Sequence, residues 1–260
     1  MKPIRLLLLF FFIVSFGSFA NVSVINGLTH VYSGVSGDVI TGEIILVNYS
    51  STVERVRFDV QEAIYSCAEA RIFTGDATHP LSSSSWLNSN VNERVLAPKE
   101  RYVLKFTINI PEGDELRGSY WSVLMVSVEK PIKEEMISES IGIGTKIQYA
   151  IGLITNVNAL DEVNIGFDDV LSTEGDEKNL RIRVKNDGRF AEATLLSLEV
   201  YDQNGVMVRE YKTRRLLVFP EVCRDYLLTI SDLDKGAYDC VLVADSREAF
   251  VGTNLRLTID

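Results

Sequence analysis

Beyond residue 20, apolar and polar side chains alternate in short runs rich in β-branched residues, and each run stops at a cluster of Gly, Asn, Asp, Ser or Pro. A period of two belongs to a strand with one buried face, because successive side chains point to opposite faces of a sheet. The runs fall at 21–25, 39–47, 53–63, 100–110, 120–128, 141–157, 179–184, 194–201, 206–213, 224–230, 238–244 and 253–259. Turn residues lie between them, among them Asn186, Asp187 and Gly188, and Asp202, Asn204 and Gly205; such residues tolerate the positive φ that tight hairpins need. No stretch sustains a capped 3.6-residue period for three turns, so the expected helix is at most one short piece over 61–70. Many short strands with regular turns predict an all-β chain of antiparallel sandwiches.

A repeat sets the number of sandwiches. Arg117, Gly118, Ser119, Tyr120, Val123 and Leu124 recur in kind as Lys235, Gly236, Ala237, Tyr238, Val241 and Leu242. Each half also holds an earlier strand that ends in Val and then Asn, at Asn48 and at Asn186 (where a Lys intervenes). Two elements in the same order, twice, predict two immunoglobulin-like sandwiches in tandem, one over 21–157 and one over 158–260. Tyr120 and Tyr238 are expected to act as corner residues, each returning its hydroxyl to the backbone beside a permissive glycine.

The first twenty residues stand apart from this pattern. Lys2 and Arg5 precede an apolar run from Leu6 to Val14, and Ser18, Phe19 and Ala20 close it with a small-x-small ending. Those are the parts of a secretory signal peptide, and the apolar run is shorter than the ~20 residues of a spanning helix. The expectation is an exported chain with no membrane span after cleavage, periplasmic in location, with the cell surface or secretion as alternatives. The whole sequence carries 26 basic and 36 acidic residues, a formal charge of −10, which argues against nucleic acid as a partner, since such binders need a basic stripe.

Little in the chain suggests chemistry. Three cysteines, Cys67, Cys223 and Cys240, allow one disulfide at most, and Cys223 with Cys240 is the expected pair because both fall in the second sandwich. The two histidines, His30 and His79, lie far apart, and no phosphate loop, nucleophile elbow or zinc-ligand spacing is present. Asp168, Asp169, Glu174, Asp176 and Glu177 form an acidic stretch without EF-hand spacing, read here as solvated. No catalytic residue, metal ligand or cofactor is assigned, and the chain reads as a non-enzyme.

Several motifs fit one family. Ile45, Leu46, Val47, Asn48 and Ser50 end a second strand in Asn-x-Ser. Leu96, Ala97 and Pro98 precede an alternating strand with Tyr102, Phe106 and Ile108. Ser119 to Val126 precedes Glu129, Lys130 and Pro131, and a long apolar strand follows through Ile141, Ile143, Ile147 and Tyr149. In these features 22–157 resembles the N-terminal domain of the periplasmic chaperones of pilus assembly, and the rest is similar in architecture. The resemblance implies a strand that donates alternating apolar side chains and its backbone edge to a subunit lacking a strand, with basic residues anchoring that subunit's carboxylate. Carried to this chain, it assigns partner binding to Ile141, Ile143, Lys146, Ile147 and Tyr149, with a protein subunit or extended peptide strand as the partner. The first strand, read as running from Asn21 to Val31, offers no Arg or Lys, so a second anchor would have to come from Arg55 or Arg57. The alternative function is a structural or adhesive surface module built from the same sandwiches without strand capture.

Overall fold

The structure, a computed structural model, describes residues 21–67, 71–129, 147–173, 178–247 and 249–259. Residues 1–20, the acidic residues Glu174, Asp176 and Glu177, and Ile141, Ile143 and Lys146 lie outside these residues. Ten strands form the first half: β1 (Val22–Val24), β2 (Thr29–Gly34), β3 (Val39–Asn48), β4 (Glu54–Ile64), β5 (Ile72–Thr74), β6 (Leu87–Asn88), β7 (Glu93–Leu96), β8 (Arg101–Asn109), β9 (Gly118–Glu129) and β10 (Ile147–Val157). Eight form the second: β11 (Ile165–Thr173), β12 (Asn179–Asn186), β13 (Glu192–Tyr201), β14 (Met207–Lys212), β15 (Leu216–Val218), β16 (Cys223–Thr229), β17 (Gly236–Ser246) and β18 (Ala249–Ile259). Among the described residues the only helical element is a 3-10 turn at Ser84–Trp86. The helix expected over 61–70 is replaced through residue 64 by β4, whose Glu62, Ala63 and Ile64 pair with Thr74, Phe73 and Ile72. Cross-strand pairing there outweighs the local helix preference of Ala and Glu.

Each half stacks two sheets. In the first, β1-β3-β8-β6 faces β2-β10-β9-β4, with β5 and β7 both on the far side of β4. In the second, β11-β12-β16 faces β14-β13-β17-β18, with β15 on β13. Strict alternation explains the stacking: on β13 the even-numbered side chains from Glu192 to Val200 are buried while their odd-numbered neighbours are only half covered. Between the sheets lie two apolar cores, one around Ile44, Leu104, Phe106, Leu124 and Ile151, the other around Ile182, Leu198, Tyr226 and Leu242. This is a tandem pair of immunoglobulin-like sandwiches.

The two Val-then-Asn strand ends prove to be one device used twice. Asn186 is fully buried; its amide donates to Phe190 O (2.7 Å) and Val218 O (2.9 Å), and its oxygen accepts from Gly188 N (2.9 Å). Asn48, also fully buried, donates to Thr52 O (2.8 Å) and Ala97 O (3.0 Å) and accepts from Ser50 N (3.0 Å). Each asparagine thus closes a turn and ties it to a distant segment, satisfying backbone groups that burial would otherwise orphan. Tyr238 makes its corner bond, donating to Asp234 O at 3.0 Å. Tyr120 does something else: its ring packs on Trp86 at 4.7 Å.

Candidate functional site

The edge of the first sandwich is shaped by a strand that changes sheets. The sequence reads as one opening strand, but β1 pairs with β3 in one sheet and β2 with β10 in the other. Gly27, at φ 94°, makes the turn between them. Asn26 holds the crossing by side-chain bonds to Glu43 O and Ile45 N, both 2.9 Å. Because the chain crosses over, β2 reaches β10 only from Gly152 onward, in parallel register, where Gly152 N donates to Leu28 O at 2.9 Å.

The first part of β10 is therefore paired on one side only. Residues from Ile147 to Ile151 pair with β9, and among the described residues no strand lies on their other side. Strand backbone groups alternate direction residue by residue. Since Gly152 N points toward β2, the N–H and C=O of Gln148 and Ala150 point to the open edge, while those of Ile147, Tyr149 and Ile151 face β9. The side chains of Ile147 and Tyr149 pack on the first core, and the Tyr149 hydroxyl bonds to Val22 O at 2.5 Å. What this stretch exposes is thus backbone and the Gln148 side chain. Leu28 stands at its end and Val31, beside Ile154, continues the edge along β2, 47% and 55% exposed. On the outer face of β4 and β9 a groove lined by Arg57, Asp59, Ser127 and Gln148 runs up to the same strand.

Arg55 and Arg57, the residues considered for a second anchor, stand away from this edge and are engaged elsewhere. Both stand on β4 with β9 between them and β10, two strand spacings or about 10 Å away. They face Glu93, at 3.4 and 3.6 Å.

Sequence reasoning missed a third apolar cluster, which joins the sandwiches. It packs Trp121, Val123 and Ile154, on the outer face of the β2-β10-β9-β4 sheet, against Phe219, with Leu217 and Val222 beside it. Phe219 stacks on Tyr65 at 4.4 Å and leans on Trp121 at 4.7 Å; His79 stacks on the same indole at 4.4 Å. The indole N–H donates to Ala63 O at 2.8 Å. The signal was present in β9, where Trp121 to Val128 is unbroken in burial: a strand covered on both faces loses its alternation.

Polar groups line the rim of this cluster. Buried Glu62 accepts from Ser82 Oγ and Ser84 Oγ, each at 2.7 Å, and lies 3.3 Å from His79 Nε2. Burial lowers the His79 pKa, and Glu62 opposes that shift only in part. Burial raises the Tyr65 pKa, with the Arg71 guanidinium pulling the other way. Ser119 N donates to Arg189 O at 2.8 Å and Ala191 N to Ser119 Oγ at 2.7 Å, two bonds that cross between the sandwiches. Gly118 allows this approach, since a Cβ there would stand 2.6 Å from Arg189 O.

The disulfide differs from the expected one. Cys67 bonds to Cys223, joining the segment after β4 to the start of β16, and Cys240 is a buried free thiol. Cys240 faces the second core from β17, whereas Cys223 lies at the rim of the opposite sheet beside the first sandwich. Membership of one domain was a poor guide because the sandwiches touch at this rim.

No known family model matches the chain, and no curated protein matches it in sequence. Solved structures match it in shape. The class 5 fimbriae chaperone CfaA superposes with a TM-score of 0.51 at 12% identity, covering 90% of this chain and 98% of that one. Two further matches are a structure of the Salmonella enterica SafA pilin in complex with the SafB chaperone (TM-score 0.48, 12% identity, 93% and 97% covered) and the YadV chaperone (0.47, 11%, 92% and 100%). The chain shares with CfaA the fold of the pilus-assembly chaperones, two immunoglobulin-like sandwiches in tandem.

Proposed function

We propose that this protein is an exported, non-enzymatic chaperone that holds a pilus or surface subunit, or an extended peptide strand, by adding it to the open edge of β10. The observation carrying this reading is the one-sided pairing of Ile147 to Ile151. An unpaired run of strand backbone is a template for another strand, which natural proteins otherwise cover or charge. Leu28 and Val31 give that edge an apolar flank. The shared fold with CfaA adds support, as does the leader-like sequence 1–20, which points to the periplasm. In this reading the working domains are 21–157 and 158–260. Ile141, Ile143 and Lys146 extend the same strand in sequence and would lengthen the binding edge, while Ile147 and Tyr149 set its register from the core side.

Ala150→Pro tests the proposal. Proline removes one N–H from the open edge without touching the bonds to β9, and edge strands accept it there. Co-expressed with a pilin-type subunit, the wild-type protein should elute with it as a one-to-one complex. The variant should elute alone, with its melting temperature nearly unchanged. Undiminished complex formation by a folded Ala150→Pro protein would refute edge capture.

A further inference from the structure

The bond between Cys67 and Cys223 is the one covalent link between the sandwiches apart from the chain itself. It stands beside the aromatic stack of Tyr65, Trp121 and Phe219. The non-covalent contact there is narrow: the second sandwich contributes Phe219, Leu217, Val222 and Ala191 to the shared cluster, together with the hydrogen bonds at Ser119. Contacts of that size between domains leave relative motion as the default. The linker side adds Arg117, which pairs with Asp161 at 2.5 Å and donates to Ala159 O, but those partners belong to the connecting segment and not to a sheet. Both cysteines are partly exposed, so a small reductant can reach them, whereas Cys240 is enclosed in the second core.

We infer that the Cys67–Cys223 disulfide is a compartment-dependent clasp that fixes the angle between the two sandwiches only where thiols are oxidised. In a reducing compartment the chain would hold two folded sandwiches whose contact opens and closes; in an oxidising one the contact is locked. The step is a two-electron exchange. A dithiol reductant gives up two electrons and closes its own disulfide, the Cys67–Cys223 bond breaks, and each cysteine leaves as a thiol carrying one of the dithiol's protons. The inference concerns the angle between the sandwiches and stands whether or not β10 captures a strand.

Amide hydrogen exchange on the full chain reads it out without any partner. The reporters are Ser119 N–H and Ala191 N–H, whose hydrogen bonds cross the contact; Leu124 in β9 and Leu242 in β17 report the two cores. In the C67S/C223S variant, and in wild-type protein treated with dithiothreitol, exchange at Ser119 and Ala191 should rise roughly tenfold or more, with the core amides changed by less than about twofold. Cys240→Ala, which removes only the free thiol, should leave Ser119 and Ala191 as in the wild type; a rise there would put the effect on the wrong cysteine and overturn the inference. Unchanged exchange at Ser119 and Ala191 after the clasp is cut would overturn the inference, because the contact would then hold by itself. A rise of similar size at all four amides would overturn it too, since the bond would then be a requirement of the fold and not of the angle.

Discussion

The paired asparagines offer a sharp test because the same device sits in two different surroundings. Asn186→Ala removes a side chain that donates to the backbone carbonyls of Phe190 and Val218, residues 2% and 1% exposed. Each buried carbonyl left without a donor costs about 1–3 kcal/mol, so the two together cost about 3 kcal/mol. Asn48→Ala removes donors to Thr52 O and Ala97 O, whose residues are exposed, and a longer 3.4 Å contact to the buried Leu96 O; water can replace the first two partners, and the loss falls to about 1–2 kcal/mol. Asn→Asp separates charge from shape at Asn186: it keeps the acceptor that Gly188 N uses but turns an oxygen toward the two carbonyls. The aspartate should therefore have a folded pKa above its unfolded value, so its stability deficit is smallest below the unfolded pKa and grows as pH rises through the folded one. Urea unfolding by far-UV circular dichroism, joined by fluorescence of Trp86 and Trp121 for the first sandwich, measures both sites. Asn186→Ala should lower the midpoint clearly more than Asn48→Ala, with m unchanged, and Asn186→Asp should be the weakest at pH 7 and recover toward pH 4. Equal losses at the two positions, or an Asn186→Asp deficit that does not vary with pH, would refute the reasoning.

Other consequences can be measured separately. Phe219→Ala removes the ring between Tyr65 and Trp121 and should red-shift the fluorescence of Trp121 while costing about 3 kcal/mol or less, the low end for a buried Phe because only a narrow contact lines it. His79, whose pKa burial lowers, stabilises the fold fully above its unfolded value of about 6.5 and less as pH falls below it. The melting temperature should therefore drop more steeply with acid in the wild type than in His79→Gln. Burial pushes the Cys240 thiol up to about 11, so an aromatic disulfide reagent should find no reactive thiol in the native protein and one after unfolding without reductant.

How much of this was written in the sequence depends on whether a feature is local. Alternation placed strands such as β3, β8, β12 and β13 within a residue or two, because each has one dry and one wet face. It failed at β11, where Phe167 and Asp169 flank a bulge that shifts the register and breaks the period. It failed again at the opening strand, where the crossing at Asn26 and Gly27 sends one apolar run into two sheets. The short edge strands β5, β6, β7 and β15 carry too few residues for a period to show. Both the disulfide and the aromatic cluster join residues more than a hundred positions apart. No spacing rule reaches across that distance, although the lost alternation of β9 hinted that something covered its outer face. The candidate strand was legible as a run of apolar residues. That its free backbone belongs to Gln148 and Ala150 became visible only once β2 was seen to stop at Thr29.

The alternation of backbone direction along β10 gives the central claim its most direct measurement. Residue-resolved amide exchange would be recorded for the protein alone and with a purified pilin-type subunit. Edge addition predicts that Gln148 and Ala150 slow by roughly tenfold or more on binding while Tyr149 and Ile151, already bonded to β9, barely change. Binding that leaves Gln148 and Ala150 exchanging as fast as before would place the partner elsewhere and contradict the account.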